Sequence, residues 1–245
     1  MGFERYVRQM MLRDWGEEGQ NKLKSAKVAV IGAGGLGSPA SIYLAVAGVG
    51  ELRVIDCDVV ELSNLNRQIL HWDKDIGKLK AVSAEEKLRA LNHEIEVIGI
   101  GERLTEENAY KFIEGVDVVL DCLDNFPTRF LLNKVCLEMG IPLIHSVIYG
   151  LEGRITTIIP GKTPCLSCLY PEPPREIRPF PVVGVVPGVM GCLEALEAIK
   201  IIIGFGELLL NKMLRFDGES MQVQVFPIKR RENCPICKNL IKKEV

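Results

Sequence analysis

Short apolar runs and longer amphipathic segments alternate along the first 140 residues of the chain. The apolar runs predict four strands, at residues 28–31, 52–55, 94–101 and 117–125. The periodic segments predict helices that start at about Ser38 and cover residues 78–91, 104–115 and 127–140. Alternation of this kind requires parallel strand pairing, because each helix carries the chain back to the start of the sheet.

The pattern changes after residue 140. Residues 141–161 read as strand, glycine turn and strand, and the remaining predicted elements are a helix at 191–203 and two strands within 213–229. Consecutive strands favour antiparallel pairing. The sequence therefore predicts an α/β fold with a Rossmann-like sheet, parallel in its first half and extended by antiparallel strands in its second half.

A glycine cluster separates the first strand from the first helix, at Gly32, Gly34, Gly35 and Gly37. Glycines allow a sharp turn and a close approach to a phosphate, and the free N–H groups of the helix point at that anion. Asp56 follows roughly 20 residues later, where a carboxylate accepts from ribose hydroxyls. These features predict a nucleotide site; the alternative is a close-packed strand-to-helix turn without a ligand.

Charged side chains follow the second and fourth strands. Arg67 and Lys80 flank the path from the second strand past the nucleotide, where their cations suit a triphosphate. Asp121, Asp124 and Asn125 follow the fourth strand, and oxygen ligands beside a triphosphate suit Mg²⁺. The alternative for the two acids is capping of the next helix. His145 has no partner at catalytic spacing and is interpreted as a core or strand-end residue.

Four of the eight cysteines form two CxxC pairs, Cys165 with Cys168 and Cys234 with Cys237. Two such pairs provide four thiolates for one tetrahedral, structural zinc that ties the carboxyl-terminal tail to the body. A redox-active pair is the alternative. Cys57, Cys122 and Cys136 occur singly in apolar segments and are expected in the core.

Composition narrows the class of protein. The 245 residues are 47% hydrophobic and 25% charged, which is typical of a globular chain, and the net charge of −2 lacks the basic surplus of most nucleic-acid-binding proteins. No apolar run is long enough to span a membrane, and the amino terminus has charges where a signal peptide needs an apolar core. These observations predict a cytoplasmic protein without membrane or nucleic-acid partners.

A proline-rich connection divides the second half of the chain, with prolines at 171, 173, 174, 179, 181 and 187. A connection of this length is commonly a functional crossover. We expect one domain with four parts: an amino-terminal arm at 1–26, a nucleotide-binding core at 27–160, a crossover at 161–190 and a final part at 191–245. In the arm, Arg5, Arg8 and Arg13 form either a solvated face or a group that reaches a phosphate from outside the core.

Together these motifs resemble the MoeB/ThiF family, the bacterial and archaeal relatives of ubiquitin-activating enzymes. The resembling stretches are RYVRQ (5–9), GAGGLG (32–37), IDCDVVELSNLNRQ (55–68), GKLKA (77–81), LDCLDN (120–125), PGVMG (187–191), LEAIK (196–200) and the two CxxC pairs. The resemblance implies an enzyme that uses MgATP to adenylate the carboxyl-terminal glycine of a small ubiquitin-fold sulfur carrier of the MoaD/ThiS type, releasing pyrophosphate.

The resemblance also implies roles for individual residues. It places Gly35 at the phosphates and Asp56 at the ribose, and it adds Gly34 and Asp58 to the nucleotide-binding residues. It places Asn64, Arg67, Gln68 and Lys80 around the phosphates, and Asp124 beside Mg²⁺ and the α-phosphate with Asn125 next to it. Arg8 matches an arginine that family dimers insert into the neighbouring subunit, which implies a homodimer. The implied catalytic residues are Arg8, Arg67, Lys80 and Asp124.

One departure concerns the crossover. Many relatives have a cysteine a few residues after a PEPP-like stretch, whereas residues 174–188 of this chain contain none and Ile177 stands near the expected place. We therefore expect activation to stop at the acyl-adenylate. Cys192 is the nearest unassigned thiol, interpreted as a packing residue with a reactive role as the alternative.

Other functions remain open from the sequence. They are an adenylating enzyme of the same fold that acts on tRNA or a peptide, an NAD-dependent oxidoreductase, and a non-catalytic scaffold that binds a carrier protein. The pairing of Arg67 and Lys80 with Asp124 favours a triphosphate with metal over a nicotinamide.

Overall fold

A computed structural model describes residues 2–175 and 179–240 of the chain. These residues contain one eight-stranded sheet with the spatial order β3-β2-β1-β4-β5-β6-β7-β8. The strands are β1 (Lys27–Ile31), β2 (Glu51–Ile55), β3 (Glu96–Ile100), β4 (Val118–Asp121), β5 (Leu143–Tyr149), β6 (Glu152–Ile158), β7 (Lys212–Asp217) and β8 (Gln222–Pro227).

The sheet changes direction in its middle. The pairs among β1 to β5 are parallel, and the pairs β5–β6, β6–β7 and β7–β8 are antiparallel. The predicted fold class, a Rossmann-like sheet with an antiparallel extension, is confirmed. Because β1 lies between β2 and β4, the chain leaves β1 in one direction along the sheet and later returns to its other side. This reversal creates a crevice at the carboxyl ends of β1 and β4.

Helices cover both faces of the sheet. They are α1 (Val7–Met10), α2 (Gly16–Ser25), α3 (Gly37–Ala47), α4 (Lys80–Leu91), α5 (Ala109–Phe112), α6 (Phe126–Met139), α7 (Leu166–Leu169) and α8 (Val185–Ile203). Apolar side chains of α2, α3, α4 and α8 pack into one core cluster, and those of α5, α6 and α7 pack into a second one. The two clusters use alternate residues of the central strands, such as Val30 and Ile31, because successive side chains point to opposite faces.

Two predicted helices differ from the structure by more than two residues at an end. The segment 104–115 contains only the short α5, and the turn before it is closed by the Asn108 side chain, which accepts from the Thr105 N–H at 2.8 Å. Helix α8 begins at Val185, before the predicted start at 191, and includes Pro187 in its first turn. Proline is tolerated there because the N–H groups of a first turn have no helical acceptor.

None of the described helices has the length and apolarity needed to cross a membrane. Ile177 lies outside the described residues. The division of the chain into four parts remains a prediction.

Candidate nucleotide site

A cavity of about 730 Å³ opens at the crevice beside the carboxyl ends of β1, β2 and β4. Nine of the residues singled out from the sequence line it: Gly34, Gly35, Asp56, Asp58, Arg67, Gln68, Lys80, Asp124 and Asn125. They come from the three connections that follow β1, β2 and β4, and the sheet register brings them together. These residues therefore lie around one cavity, as expected, and their individual roles remain predictions.

The glycine turn leaves no room for side chains. Gly32 has a φ of +106°, and a Cβ there would lie 2.5 Å from the Cys122 carbonyl oxygen. A Cβ on Gly37 would lie 1.8 Å from the Gly32 carbonyl oxygen. Both distances are far below van der Waals contact. The turn therefore requires glycine for its own closure at these positions, while Gly34 and Gly35 present backbone to the cavity.

Asp56 is fixed beside this turn by two backbone hydrogen bonds. Its Oδ2 accepts from the Ala33 N–H at 2.8 Å, and its Oδ1 accepts from the Asp58 N–H at 2.9 Å. Burial raises the pKa of Asp56, and the positive charge of Lys80 acts in the opposite direction. The carboxylate is thus held at the cavity wall in a geometry that suits the expected ribose contact.

Two cations flank the cavity. Lys80 is the first residue of α4 and is only 6% exposed, with its Nζ 3.1 Å from Asp58 Oδ2. Arg67 donates from Nη1 to the Ser63 carbonyl at 2.9 Å and to Asn66 Oδ1 at 3.0 Å. Their guanidinium and ammonium groups create a positive wall on which a polyphosphate fits.

Gln68 supplies a polar atom suited to a ligand. The residue is buried, and its Oε1 has no hydrogen-bond partner among the described residues. Its Nε2 lies near Gly34, 3.6 Å from where a Cβ of that glycine would stand. A buried amide oxygen without a partner is costly unless a bound group donates to it. This atom and the open glycine backbone fit a nucleotide.

The loop after β4 presents Asp124 and Asn125. Asn125 caps α6, because its Oδ1 accepts from the Thr128 N–H at 3.0 Å. Its Nδ2 donates to Asp124 Oδ1 at 3.3 Å, which positions the exposed carboxylate at the cavity wall. Asn125 therefore supplies a cap for α6, a role that the sequence suggested for Asp121 and Asp124.

Asp121 is separate from the cavity group. It is fully buried at the end of β4, and its Oδ2 lies 2.6 Å from His145 Nδ1 and 3.6 Å from Arg129 Nη1. Arg129 also donates to the carbonyls of Ser146 (2.7 Å) and Leu123. The expectation that Asp121 joins the metal-binding carboxylates is therefore corrected. Its carboxylate is fully buried and paired with His145 and Arg129, and it is not part of the described cavity lining.

His145 is a core residue as predicted, but it has a partner that the sequence did not reveal. Burial lowers the pKa of His145 more strongly than the Asp121 carboxylate raises it, so the imidazole is neutral at pH 7. The Nδ1–H donates to Asp121. The side chain therefore joins β4 to β5 across the sheet register that pairs these two residues.

Two residues implied by the resemblance lie outside the described lining of this cavity. Asn64 is buried in a 3-10 turn, where its Oδ1 accepts from the Glu61 N–H at 3.1 Å. Arg8 is exposed on α1. Their assignments stay predictions.

The cavity extends beyond the nucleotide region into a part that the sequence reasoning missed. This part is lined by Tyr149, Glu152, Arg154, Tyr170, Arg175 and Phe180. The rings of Tyr170 and Phe126 stand edge to face at 5.2 Å, and Glu152 pairs with Arg154 and Arg215. A signal was present in the aromatic and basic residues of the β5–β6 hairpin and the proline-rich connection.

Cys57 also belongs to the cavity. It lies two residues after the end of β2, lines the wall and is partly exposed, so the expectation that it is a core residue is wrong. Cys122 and Cys136 are buried in the two core clusters, as predicted.

The four CxxC sulfurs converge at one place in the second core cluster. Their Sγ atoms all lie within 4.8 Å of one another, with Cys165 at 3.9 Å from Cys168 and 3.7 Å from Cys234. Four sulfurs at about 2.3 Å from a tetrahedral zinc are about 3.8 Å apart. The four cysteines are buried, and these separations fit one zinc; they are too long for disulfide bonds.

A glycine turn, an acid beside it and cations at the reversal point of the sheet define a nucleotide-binding α/β protein. A model of the ThiF family matches residues 6–236. The chain therefore belongs to the ThiF family, and the resemblance seen in its motifs is confirmed.

Several characterised proteins are similar along nearly the whole chain. The SAMP-activating enzyme E1 of Haloferax volcanii is 45% identical over 239 residues, covering 96% of this chain and 88% of that protein. A sulfur carrier protein adenylyltransferase of Thermus thermophilus is 41% identical over 244 residues, covering 96% and 90%.

Solved structures agree with the fold. The crystal structure of E. coli MccB with MccA-N7isoASN superposes with a TM-score of 0.87 at 28% identity, covering 98% of this chain and 75% of that chain. The same protein with ATP gives a TM-score of 0.81 at 28% identity, covering 96% and 74%.

Proposed function

We propose that this protein is an ATP-dependent adenylyltransferase that activates a small ubiquitin-fold sulfur carrier. It joins the carrier's carboxyl-terminal glycine carboxylate to AMP and releases pyrophosphate. The observation that carries the proposal is the pairing of Arg67 and Lys80 with Asp124 around one glycine turn. That combination suits a metal-bound triphosphate attacked by an anion. The names of the Haloferax and Thermus relatives support the same activity and substrate class.

The chemical difficulty is repulsion between two anions. A carboxylate approaches the α-phosphate only when negative charge is neutralised and the two groups are aligned, so the protein supplies no nucleophile of its own. Lys80 and Arg67 supply positive charge at the polyphosphate, Gln68 lies beside them, and Asp56 fixes the ribose. The carboxyl-terminal tail of the carrier enters through the aromatic part of the cavity beside Tyr149 and Tyr170.

Two metals complete the proposal. Mg²⁺ bound at Asp124 supplies charge neutralisation at the phosphates. Zinc held by the four cysteines is structural, because four thiolates leave it no open position. The buried cluster of sulfurs supports this assignment.

The active unit is proposed to be a homodimer in which Arg8 reaches the partner's site. Arg8 is exposed on α1 and lies outside the described lining of its own cavity, while the neighbouring Val7 and Met11 are exposed apolar residues that a partner would cover. We also propose a cytoplasmic location.

Activation is proposed to stop at the acyl-adenylate. Cys192 lies in α8, outside the described cavity lining, and burial raises its pKa, so its thiol stays protonated at pH 7. These properties favour packing over nucleophilic chemistry. The serine variant Cys192→Ser is expected to retain wild-type activation.

ATP–pyrophosphate exchange tests the function. The wild-type protein should exchange label only when a carrier ending in Gly-Gly is added, and a carrier lacking the final glycine is the matched control. The variant Asp124→Ala should lose exchange while remaining folded. Exchange at a normal rate in that variant, or binding of NAD in place of ATP by titration calorimetry, would contradict the proposal.

A further inference from the structure

A buried chain of hydrogen bonds runs from the glycine turn to α4, through His71. The His71 side chain is only 3% exposed. Its Nε2 lies 2.9 Å from the Ala33 carbonyl oxygen, and its Nδ1 lies 2.9 Å from Ser83 Oγ. His71 has no part in the nucleotide, metal or carrier contacts of the proposed function.

The contacts determine which ring nitrogen carries the proton. A carbonyl oxygen only accepts, so Nε2 must donate to Ala33. Burial lowers the pKa of His71, and Lys87 and Lys80 add to that effect, so the ring is neutral at pH 7. Nδ1 is then a bare acceptor, and the Ser83 hydroxyl donates to it.

Ser83 is held in that role by Lys87. The Lys87 Nζ donates to Ser83 Oγ at 2.6 Å and forms a buried ion pair with Asp75. The hydroxyl therefore accepts from the ammonium and directs its own proton to the imidazole. Lys80, Ser83 and Lys87 stand three and four residues apart on α4, so one helix face carries both the expected phosphate ligand and this chain.

The backbone of Ala33 is the far end of this chain of hydrogen bonds. It lies between Gly32 and Gly34, in the most conformationally free part of the turn. Its N–H donates to Asp56 Oδ2 at 2.8 Å, while its carbonyl accepts from His71 and, at 3.4 Å, from Ser38 Oγ. The backbone of Ala33 is thus held at both its N–H and its carbonyl, and the acceptor for the N–H is the acid expected at the ribose.

We infer that His71 is a positioning residue for nucleotide binding: it fixes the Ala33 peptide through Nε2 and thereby the glycine turn and Asp56. This inference rests on the proposed function, because it names a residue that prepares the same site. His71 acts through Ala33 and makes no contact with the substrate.

Two substitutions separate the two ring nitrogens. In His71→Gln the side-chain amide reaches the position of Nε2 and donates to the Ala33 carbonyl. In His71→Asn the amide oxygen reaches only the position of Nδ1, so the contact with Ser83 is kept and the contact with Ala33 is lost. Isothermal titration with ATP and Mg²⁺ gives the dissociation constant of each variant, and urea unfolding gives its stability.

We expect His71→Asn to raise the ATP dissociation constant roughly tenfold, the equivalent of one buried hydrogen bond, and His71→Gln to bind ATP with an affinity close to that of the wild type. The exposed His93→Asn is the matched control and should bind ATP as wild type does. Equal affinity in His71→Asn and His71→Gln would overturn the inference, because a merely structural role lowers the stability of both without ranking their ATP affinity.

A third variant covers failure of His71→Asn to fold. Ser83→Ala removes the donor that fixes the tautomer and should raise the ATP dissociation constant about threefold; an unchanged constant would overturn the inference. The wild-type titration separates the two proposals. A wild type that binds no ATP refutes the proposed function, whereas a wild type that binds ATP with no ranking among the variants refutes only the role of His71.

Discussion

Asp121→Asn tests the buried ionic group behind the site. Asp121 and His145 are fully buried and Arg129 is 4% exposed, so the carboxylate is the counter-charge for an arginine that water scarcely reaches. Asparagine preserves the shape of the side chain and removes the charge. The guanidinium then keeps its backbone carbonyl acceptors and loses the carboxylate that it pairs with.

The expected loss follows from this burial. Removing one partner of a buried ion pair costs about 3–5 kcal/mol, which is a large share of the roughly 5–15 kcal/mol that stabilises a typical native protein. With a urea dependence of about 3 kcal/mol per molar, the unfolding midpoint should fall by about 1 M or more. The measurement is equilibrium urea unfolding followed by circular dichroism.

A matched control uses a surface pair. Glu18 pairs with Lys22 one helical turn away, and both side chains are largely exposed. Glu18→Gln should leave the midpoint where it is in the wild type, because water screens such pairs. A midpoint for Asp121→Asn that equals the wild-type value would refute the idea that Arg129 depends on this carboxylate.

Three further predictions concern the site, the metal and pH. Lys80→Ala should reduce carrier-dependent pyrophosphate exchange about 100-fold, since it removes a preorganised charge at the phosphates. Lys74 lies outside the described cavity lining, so Lys74→Ala should not reduce the exchange. Equal exchange rates in the two variants would count against the phosphate role of Lys80. The purified chain should contain one zinc, and Cys168→Ser or a chelator should lower its melting temperature; an unchanged temperature would exclude a structural metal. Because burial lowers the pKa of His145, the unfolded chain takes up a proton before the folded one does. The stability that His145 contributes is therefore complete above about pH 6.5 and is lost as the pH falls through the folded pKa. The difference in unfolding free energy between the wild type and His145→Gln should shrink over that range. A difference that stays constant with pH would contradict this prediction.

Local patterns were sufficient for the parts of the fold that depend on neighbouring residues. The glycine turn, the first two strands and the two CxxC pairs are all short-range signals, and each was located correctly. The proline at 187 misled the prediction of α8, because composition alone does not distinguish a proline in the first turn of a helix from one in a loop.

The remaining contacts depend on sheet register. Asp121 and His145 are 24 residues apart and meet only because β4 and β5 pair in parallel at that position. Arg129 reaches the same place from α6. Cys57 follows an apolar strand closely enough to be read as core, yet it stands one step beyond Asp56, where the strand has already ended. These relations require the three-dimensional arrangement.

The positions of the cysteine pairs have a consequence for ligand affinity. In the chain, α8 lies between the two pairs, and its Pro187 packs at Gly35 of the glycine turn, 3.1 Å from where a Cβ of that glycine would stand. Zinc at the two pairs and nucleotide at the glycine turn would therefore act on one continuous stretch of the chain, the zinc at its two ends and the nucleotide near Pro187 inside it. Coupling between two binding sites is reciprocal. If bound zinc raises the affinity for ATP by some factor, bound ATP raises the affinity for zinc by the same factor.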